Sequence, residues 1–476
     1  METATSTSLR IVRAGAAWLL RAALVLGAAA SPAGTAKTDL QSYGAALTAA
    51  PADPAIVRAL RQISAQRIRH TIETLVAFRT RNTLSSMDPS LPKGEGINAA
   101  ADWIESQLQQ YSSACGGCLE VERDTFTESP QQRVPRPTTI TNIYAVLRGS
   151  DPAQAKRVYL VTGHYDSRAS DVLDWRADAP GANDDASGVA VSLECARVLA
   201  ALKPAATVVF AAVAGEEQGL NGSRHLARLA KQQGWQVEAA LDNDIVGGNT
   251  TPGDRWQDKS AVRVFSESLP IAATPEQIKE LVTLGYESDS PSRELARAVA
   301  DIGRTYSGLT PVLEFRRDRF LRGGDHQSFN QEGFAAVRLT EWREDYNHQH
   351  QTPRVENGIQ YGDLLKYVDF QYVARVAALN AATLAALAYA PPAPTNVRIL
   401  TKALNNASTL QWQGNGSGVR YEVLWRELGA AQWQRSAQVA HSSATLPISK
   451  DNVIFGVRSV DAQGHRSPAV APMPER

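Results

Sequence analysis

Two valine-rich runs in the chain each lead into side chains that can bind protons or metals. Residues 158–161 are followed by His164, and residues 208–213 are followed by Glu216 and Glu217. Continuous apolar runs of this length are typical of strands buried on both faces. The pattern therefore predicts two buried strands, each delivering an imidazole or a carboxylate at its carboxyl end.

The segment between the two runs predicts a helix, because residues 187–202 place Val191, Val198 and Leu199 on one face. Ser187 is expected to cap its first turn. A strand, a helix and a second strand in this order form a βαβ unit, in which the strands are parallel. The fold is therefore expected to belong to the α/β class.

Two further predicted strands end in the same way. Residues 237–241 lead into Asp244, and residues 335–340 precede a polar stretch that contains His348 and His350. Ligands of open α/β sheets bind beyond the carboxyl ends of the strands. Four strand ends are thus expected to deliver His, Asp and Glu side chains to one edge of the sheet.

Such a cluster of acidic and imidazole side chains requires a cation, because repulsion and desolvation otherwise oppose it. The mixture of carboxylate oxygens and imidazole nitrogens favours Zn²⁺ over Ca²⁺ or Mg²⁺. We therefore expect a zinc site at this edge of the sheet.

Four short motifs contain these residues: His164-Tyr-Asp166-Ser, Gly181-Ala-Asn-Asp184-Asp185-Ala-Ser-Gly188, Glu216-Glu217-Gln-Gly-Leu-Asn-Gly-Ser223 and Asn243-Asp244-Ile-Val-Gly247. In combination they resemble the co-catalytic dizinc aminopeptidase family, with its bacterial leucyl aminopeptidase, glutamate carboxypeptidase, glutaminyl cyclase and transferrin receptor relatives. The similarity covers residues 56–388. It implies the fold of zinc exopeptidases, a mixed, mostly parallel sheet flanked by helices.

The resemblance also implies two Zn²⁺ ions per chain, bridged by one carboxylate. The implied ligands are Asp184 between the two ions, His164 and Asp244 at one position, and Glu217 and a late histidine at the other. A bridging carboxylate holds two metal ions about 3.5–4 Å apart, the separation used in two-metal hydrolysis.

The late histidine is where the chain departs from the family pattern. The family usually shows Tyr-His-Thr followed by an acidic residue, whereas this chain reads Tyr346-Asn-His348-Gln-His350-Gln-Thr-Pro353. His350 is the favoured ligand, because the downstream Thr352 and Glu356 then fit the family spacing better. His348 remains the alternative.

Glu216 is the expected general base. Neighbouring side chains on an extended backbone point to opposite sides, so Glu216 is free to move protons while Glu217 binds metal. Asp166 is the second residue assigned to catalysis, because a carboxylate two positions after His164 can orient its imidazole.

Two further features follow from the resemblance. Asp185 follows a cis peptide bond in the family, which implies a non-proline cis bond between Asp184 and Asp185. His326, in Gly-Asp-His, matches a Ser-Asp-His element that lines such sites, and it is expected to be structural or to line the pocket rather than to bind metal.

Charge gives no sign of a nucleic-acid partner, since 49 Lys and Arg residues balance 49 Asp and Glu residues. At the N-terminus, Arg10 and Arg13 precede apolar stretches and a small-residue end. This order predicts a secretory signal peptide over residues 1–36. Arg21 interrupts the apolar stretch, so stable membrane insertion is not expected. The protein is therefore expected to be secreted or periplasmic.

The three cysteines fit an exported protein. Cys115 and Cys118 flank two glycines in a polar loop, which favours a local disulfide, with a redox or metal role as the alternative. Cys195 lies in the predicted helix and is expected to be a small core residue.

Two domains are expected after the signal. Residues 37–390 form the predicted catalytic domain, which ends in a proline-rich linker. Residues 391–476 show short β patterns separated by turn residues, typical of a small all-β sandwich. Their aromatic positions resemble those of a fibronectin type III domain: Trp412, Tyr421, Trp425 and Phe455. This region is expected to act as a spacer or to dock to extracellular matrix or a surface.

The combined expectation is a secreted metallo-exopeptidase, an aminopeptidase that hydrolyses the N-terminal bonds of peptides or proteins with metal-activated water. The alternatives are a glutamate-carboxypeptidase-like or glutaminyl-cyclase-like enzyme on the same fold, or a non-catalytic extracellular binding protein. No implied ligand is missing, which disfavours the last. Arg168, Arg176 and Arg322 are the loop cations that could hold a substrate carboxylate.

Overall fold

The structure is a computed structural model that describes residues 39–414, 416 and 418–475. The predicted signal peptide, residues 1–36, lies outside the described residues. The helices are α1 (Asp39–Ser42), α2 (Pro54–Leu60), α3 (Ala65–Ala77), α4 (Gly96–Ala114), α5 (Ala186–Leu199), α6 (Asn221–Gln232), α7 (Pro275–Leu284), α8 (Pro291–Tyr306), α9 (His326–Gln331) and α10 (Phe370–Tyr389), with 3-10 turns at Thr83–Met87 and Leu365–Tyr367. The strands are β1 (Ala45–Ala46), β2 (Glu120–Glu128), β3 (Thr138–Leu147), β4 (Arg157–His164), β5 (Thr207–Val213), β6 (Gln236–Asn243), β7 (Ala261–Ser266), β8 (Thr310–Glu314), β9 (Ala336–Glu341), β10 (Arg354–Glu356), β11 (Ile359–Tyr361), β12 (Thr395–Leu400), β13 (Ser408–Gln413), β14 (Arg420–Glu427), β15 (Arg435–Val439), β16 (Ser443–Leu446), β17 (Val453–Val460) and β18 (Met473–Glu475).

The central sheet has eight strands in the order β2-β3-β5-β4-β6-β9-β7-β8. Its middle strands β5, β4, β6 and β9 are parallel, whereas β2, β3 and β7 each pair antiparallel with the strand on their inner side. Buried apolar clusters cover both faces, one of them built largely from α3, α4, α5, α8 and α10. The predicted α/β class with a mixed, mostly parallel sheet is confirmed, and β2 lies at one edge of the sheet.

The βαβ unit forms as predicted, with α5 joining the parallel strands β4 and β5. Its cap differs from the prediction. The Asp185 side chain accepts the backbone N–H of Gly188 at 2.8 Å, whereas Ser187 lies inside the helix and donates to the Asn183 carbonyl. Gly188 is required by packing, because a Cβ there would lie 1.9 Å from the carbonyl oxygen of Asn243. The helix can therefore approach the sheet closely beside the site.

Residues 54–81 contain the two helices α2 and α3. Asp53 caps α2, with Pro54 at its first position, and Ser64 caps α3 by accepting the backbone N–H of Arg67. Pro54 and the two caps set the starts of the helices, a detail that apolar spacing alone does not show. The predicted disulfide between Cys115 and Cys118 is present directly after α4.

α10 is the one helix in the described part of the chain that is long and apolar enough to cross a membrane. Within the protein, 78% of its apolar window is buried. Leu379, Leu384 and Leu387 belong to the main core beneath the sheet. Its length and hydropathy are thus those of a central core helix.

The C-terminal region contains two four-stranded sheets, in the orders β1-β15-β14-β17 and β16-β13-β12-β18. Strand β1 comes from the other end of the chain and pairs antiparallel with β15. The indole N–H of buried Trp425 donates to the carbonyl of Leu40 at 3.2 Å. Residues 39–46 therefore complete the C-terminal β region. Its likeness to a fibronectin type III domain stays a prediction.

Buried charges join the C-terminal β region to helix α8 and the loop before it. Arg426 on β14 pairs with Asp289 at 2.6 Å, and the indole of Trp433 donates to Glu294 at 2.9 Å. Glu294 also pairs with Arg297, and all five side chains are buried. The C-terminal β region is therefore packed against α8 and not joined to it by the linker alone, because these charged groups are shielded from water and depend on one another as partners.

Candidate metal centre

The carboxyl ends of β4 and β6 and the loop before α5 bring three predicted site residues together. Nε2 of His164, the last residue of β4, lies 3.2 Å from Oδ1 of Asp184 and 3.7 Å from Oδ1 of Asp244. All three side chains are buried. They form the first of two groups able to hold a metal ion.

A second group shares Asp184 with the first. Nε2 of His350 lies 3.1 Å from Oδ2 of Asp184 and 3.2 Å from Oε1 of Glu217. The two oxygens of Asp184 thus face different groups, the arrangement expected of a bridging carboxylate. The side chain of His350 is 31% exposed, so this group opens to solvent.

The spacing in both groups fits zinc. Tetrahedral bonds of about 2.0–2.2 Å place neighbouring ligand atoms roughly 3.3–3.6 Å apart, and the distances above run from 3.1 to 3.7 Å. Nε2 of His164, Oδ1 of Asp244 and Oε1 of Glu217 are buried with no hydrogen-bond partner among the described residues. A cation bound by these atoms removes the cost of leaving them unpaired.

Asp166 links the ends of β4 and β5. Its carboxylate accepts the backbone N–H groups of Glu216 and Glu217 at 3.3 and 3.1 Å, and the hydroxyl of Thr83 at 3.2 Å. Nδ1 of His164 lies 3.2 Å from the Asp166 backbone oxygen and 3.5 Å from its carboxylate. A proton on Nδ1 therefore leaves Nε2 free to bind a cation. Asp166 positions both the imidazole and the Glu-Glu pair.

Glu216 is half-buried and forms no ion pair with any described residue. Burial raises the pKa of its carboxyl well above the usual range, and the negative charges of Glu217, Asp244 and Asp325 add to the rise. Such a carboxylate holds a proton more readily than a solvated one. This is the property required of a group that takes up and releases a proton during turnover.

The loop that carries Asp184 is held by Asp363, a residue that no motif indicated. The buried carboxylate of Asp363 accepts the backbone N–H of Asn183 at 2.8 Å and that of Asp184 at 2.7 Å. Burial raises its pKa to about 7, against the opposing effect of these N–H donors. The peptide bond between Asp184 and Asp185 is cis, as the resemblance implied.

Arg81 is a second positioning residue that the sequence did not reveal. Its guanidinium is fully buried and donates to the carbonyls of Tyr165 at 2.7 Å and Gly181 at 2.9 Å. It also donates to the carbonyls of Leu75 and Pro180. Arg81 therefore ties the strand end next to His164 to the loop that carries Asp184.

The other histidines lie outside the two groups. His348 stacks on Tyr367 with ring centroids 3.8 Å apart. His326 is buried, with Nδ1 3.2 Å from Asp242 and Nε2 2.9 Å from the Arg317 carbonyl. The structure thus brings His350, and not His348, to Asp184.

The three loop arginines have different surroundings. Arg322 lies 2.9 Å from the side chain of Gln349, the residue before His350, and 3.3 Å from Glu344. Arg176 pairs with Asp88, and Arg168 donates to carbonyls of its own loop. Of the three, only Arg322 contacts the segment that carries His350.

A mixed, mostly parallel sheet with two groups of His, Asp and Glu beyond the carboxyl ends of its parallel strands, sharing one aspartate, is typical of a metal-dependent hydrolase. The comparisons with known proteins agree. The model of peptidase family M28 matches residues 142–365. A probable zinc metalloprotease of Pyrenophora teres f. teres is 45% identical over 440 residues, covering 91% of this chain and 90% of that protein.

The chain belongs to peptidase family M28, and its similar relatives are named probable zinc metalloproteases. A probable zinc metalloprotease of Pyricularia oryzae is 44% identical, covering 90% of this chain and 87% of that protein. Among solved structures, the Legionella pneumophila LapA aminopeptidase aligns with a TM-score of 0.47 and 19% identity, covering 69% of this chain and 73% of its own.

Proposed function

We propose that the protein is a secreted aminopeptidase that holds two zinc ions and removes N-terminal residues from peptides or proteins. The observation that carries this proposal is the pair of ligand groups that meet at Asp184. His164 and Asp244 would hold one ion, Glu217 and His350 the other, and Asp184 would bridge them. Two groups favour hydrolysis over a cyclase reaction of the glutaminyl cyclase kind, for which one metal is expected.

Zinc bound here would lower the pKa of water toward neutrality and polarise the scissile carbonyl. Glu216 takes the proton from the attacking water and returns it to the leaving amine. Asp166 holds the backbone of Glu216 and so fixes where that carboxylate can reach. Arg81 and Asp363 hold the loop of Asp184 from two sides.

The charge around the site supports an aminopeptidase. The site carries several carboxylates, and a carboxylate is the group that binds a protonated α-amine. Arg322 supports the second candidate, a carboxypeptidase, because its guanidinium contacts Gln349 beside His350 and could bind a substrate carboxylate.

Hydrolysis of matched substrates separates these candidates. We expect amino-acid anilides with a free amine to be cleaved, and N-acetylated anilides and N-blocked peptides with a free C-terminus to be resistant. A chelator should abolish the activity, and added zinc should restore it, since the ligand groups depend on the cation. Cleavage of the N-blocked peptides alone would establish the carboxypeptidase, and activity that survives exhaustive chelation would contradict both candidates.

The two late histidines form a matched pair for testing the ligand set. His350→Ala should lower zinc content and activity strongly, because it removes one of three described side chains in its group. His348→Ala should leave the zinc content close to wild type, because this ring stacks on Tyr367. Elemental analysis after dialysis measures both. Equal zinc loss in the two variants would argue against the proposed assignment.

Export to the periplasm or the medium is part of the proposal. It is supported by the order of basic, apolar and small residues in residues 1–36. The disulfide between Cys115 and Cys118 also supports it, since disulfides persist in oxidising compartments. The substrates are then peptide or protein N-termini outside the cytoplasm. The C-terminal β region is proposed to dock to extracellular matrix or to a surface.

A further inference from the structure

Arg338 contacts one of the proposed zinc ligands directly. It lies on β9, and its side chain is fully buried. Nη2 of Arg338 lies 2.9 Å from Oδ2 of Asp244, and Nη1 lies 3.3 Å from Asp318 and 2.8 Å from the carbonyl oxygen of Gly323. Oδ1 of Asp244 faces His164 and has no hydrogen-bond partner among the described residues. The two oxygens of Asp244 therefore have separate roles.

The corresponding carboxylate of the other group has different surroundings. Among the described residues, the only ion pair of Glu217 is with His350, and no arginine or lysine lies within ion-pair distance of it. Arg133 approaches this residue only at its backbone carbonyl, at 3.0 Å. One proposed zinc position thus has a permanent buried cation bound to its carboxylate, and the other has none.

We propose that Arg338 makes the two zinc positions unequal, so that the position formed by His164 and Asp244 binds zinc more weakly and loses it first. This inference rests on the proposed function, because it assumes that both groups hold zinc. Asp184 belongs to both groups and cannot cause the difference. Of the two carboxylates that belong to one group only, Asp244 pairs with the guanidinium of Arg338, whereas the Glu217 side chain pairs with no arginine or lysine among the described residues.

The physical reason is electrostatic. A guanidinium bound to one carboxylate oxygen draws negative charge away from the other, and it repels a divalent cation bound beside that carboxylate. Burial keeps water and salt from screening this repulsion. Arginine stays charged at all accessible pH values, so the inequality should persist across the working range of the enzyme.

Stepwise loading of metal-free protein tests the inequality. Titration calorimetry and elemental analysis in zinc-buffered solution should show two zinc ions per chain, with affinities that differ at least about tenfold. Asp244→Asn should remove the weaker zinc-binding step and leave the tighter one. Glu217→Gln should remove the tighter zinc-binding step and leave the weaker one. Two equal steps, or loss of the tighter step in Asp244→Asn, would overturn the inference. Protein that binds no zinc would instead overturn the proposed function.

A pair of variants tests the cause. Asp318→Asn keeps Arg338 and should keep the unequal steps. The double variant Arg338→Gln with Asp318→Asn removes the cation together with one of its anionic partners, and it should tighten the weaker step about tenfold or more. A weaker second step in the double variant would mean that Arg338 only holds Asp244 in place, which contradicts the inference. If the double variant does not fold, the wild-type and single-ligand titrations still decide whether the positions are unequal.

Discussion

Replacing Glu216 with glutamine should abolish nearly all turnover while the protein keeps its zinc. Glutamine has almost the same shape but cannot take a proton from water, and general-base help is typically worth about 10²–10⁴-fold. Glu216 belongs to neither group of proposed ligands, so its loss should not release metal. The expected result is a fall of kcat by about 10²–10⁴-fold, with KM and zinc content close to wild type.

The adjacent residue supplies the matched control. Glu217→Gln makes the same chemical change one position along the chain, at a side chain that lies 3.2 Å from His350. That variant should lose zinc as well as activity. Normal turnover in Glu216→Gln, or equal zinc loss in the two variants, would show that the roles of the pair are assigned wrongly.

Deleting residues 391–476 should prevent stable folding of the remaining chain, although the deleted region lies outside the sheet that carries the site. Asp289, Glu294 and Arg297 would lose Arg426 and Trp433, their buried partners from the C-terminal region. Breaking a buried ion pair by removing one partner costs about 3–5 kcal/mol, a large share of a total stability of about 5–15 kcal/mol. Soluble yield and thermal unfolding measure the effect.

A chain cut only in the linker, for example at an inserted protease site within residues 391–394, is the control. The cut protein should stay assembled and active, because the buried contacts remain. A soluble fragment of residues 37–390 with wild-type activity and melting temperature would contradict this prediction, and would make the C-terminal β region a detachable module as the sequence suggested.

Much of the catalytic fold could be predicted from the sequence because its signals are local. The valine-rich runs before His164 and Glu216 became β4 and β5, and the helix between them became α5. In an α/β sheet these local signals also fix where the side chains go, since parallel strands end at one edge. The family resemblance then supplied the pairing of ligands, and the structure brings the same five residues together.

The residues that surround the ligands could not be predicted in this way. Arg81 and Asp363 act through backbone carbonyls and N–H groups far away in sequence, such as Gly181 and Asp184. Arg338 faces Asp244 only because β9 lies beside β6 in the sheet. Such contacts leave no spacing pattern in the sequence. Any residue can supply a backbone carbonyl, and the local sequence does not show which strands lie side by side in the sheet.

The pairing of β1 with β15 has a consequence for how the chain is made. Arg435 donates to the carbonyl of Gly44, and the two residues lie 391 positions apart. The ribosome therefore synthesises the segment that contains Gly44 long before it synthesises the segment that contains Arg435. Contacts between distant positions form late because they carry the largest loop-closure cost. The pairing of β1 cannot form before β15 has been synthesised, and until then the backbone groups of β1 lack these partners.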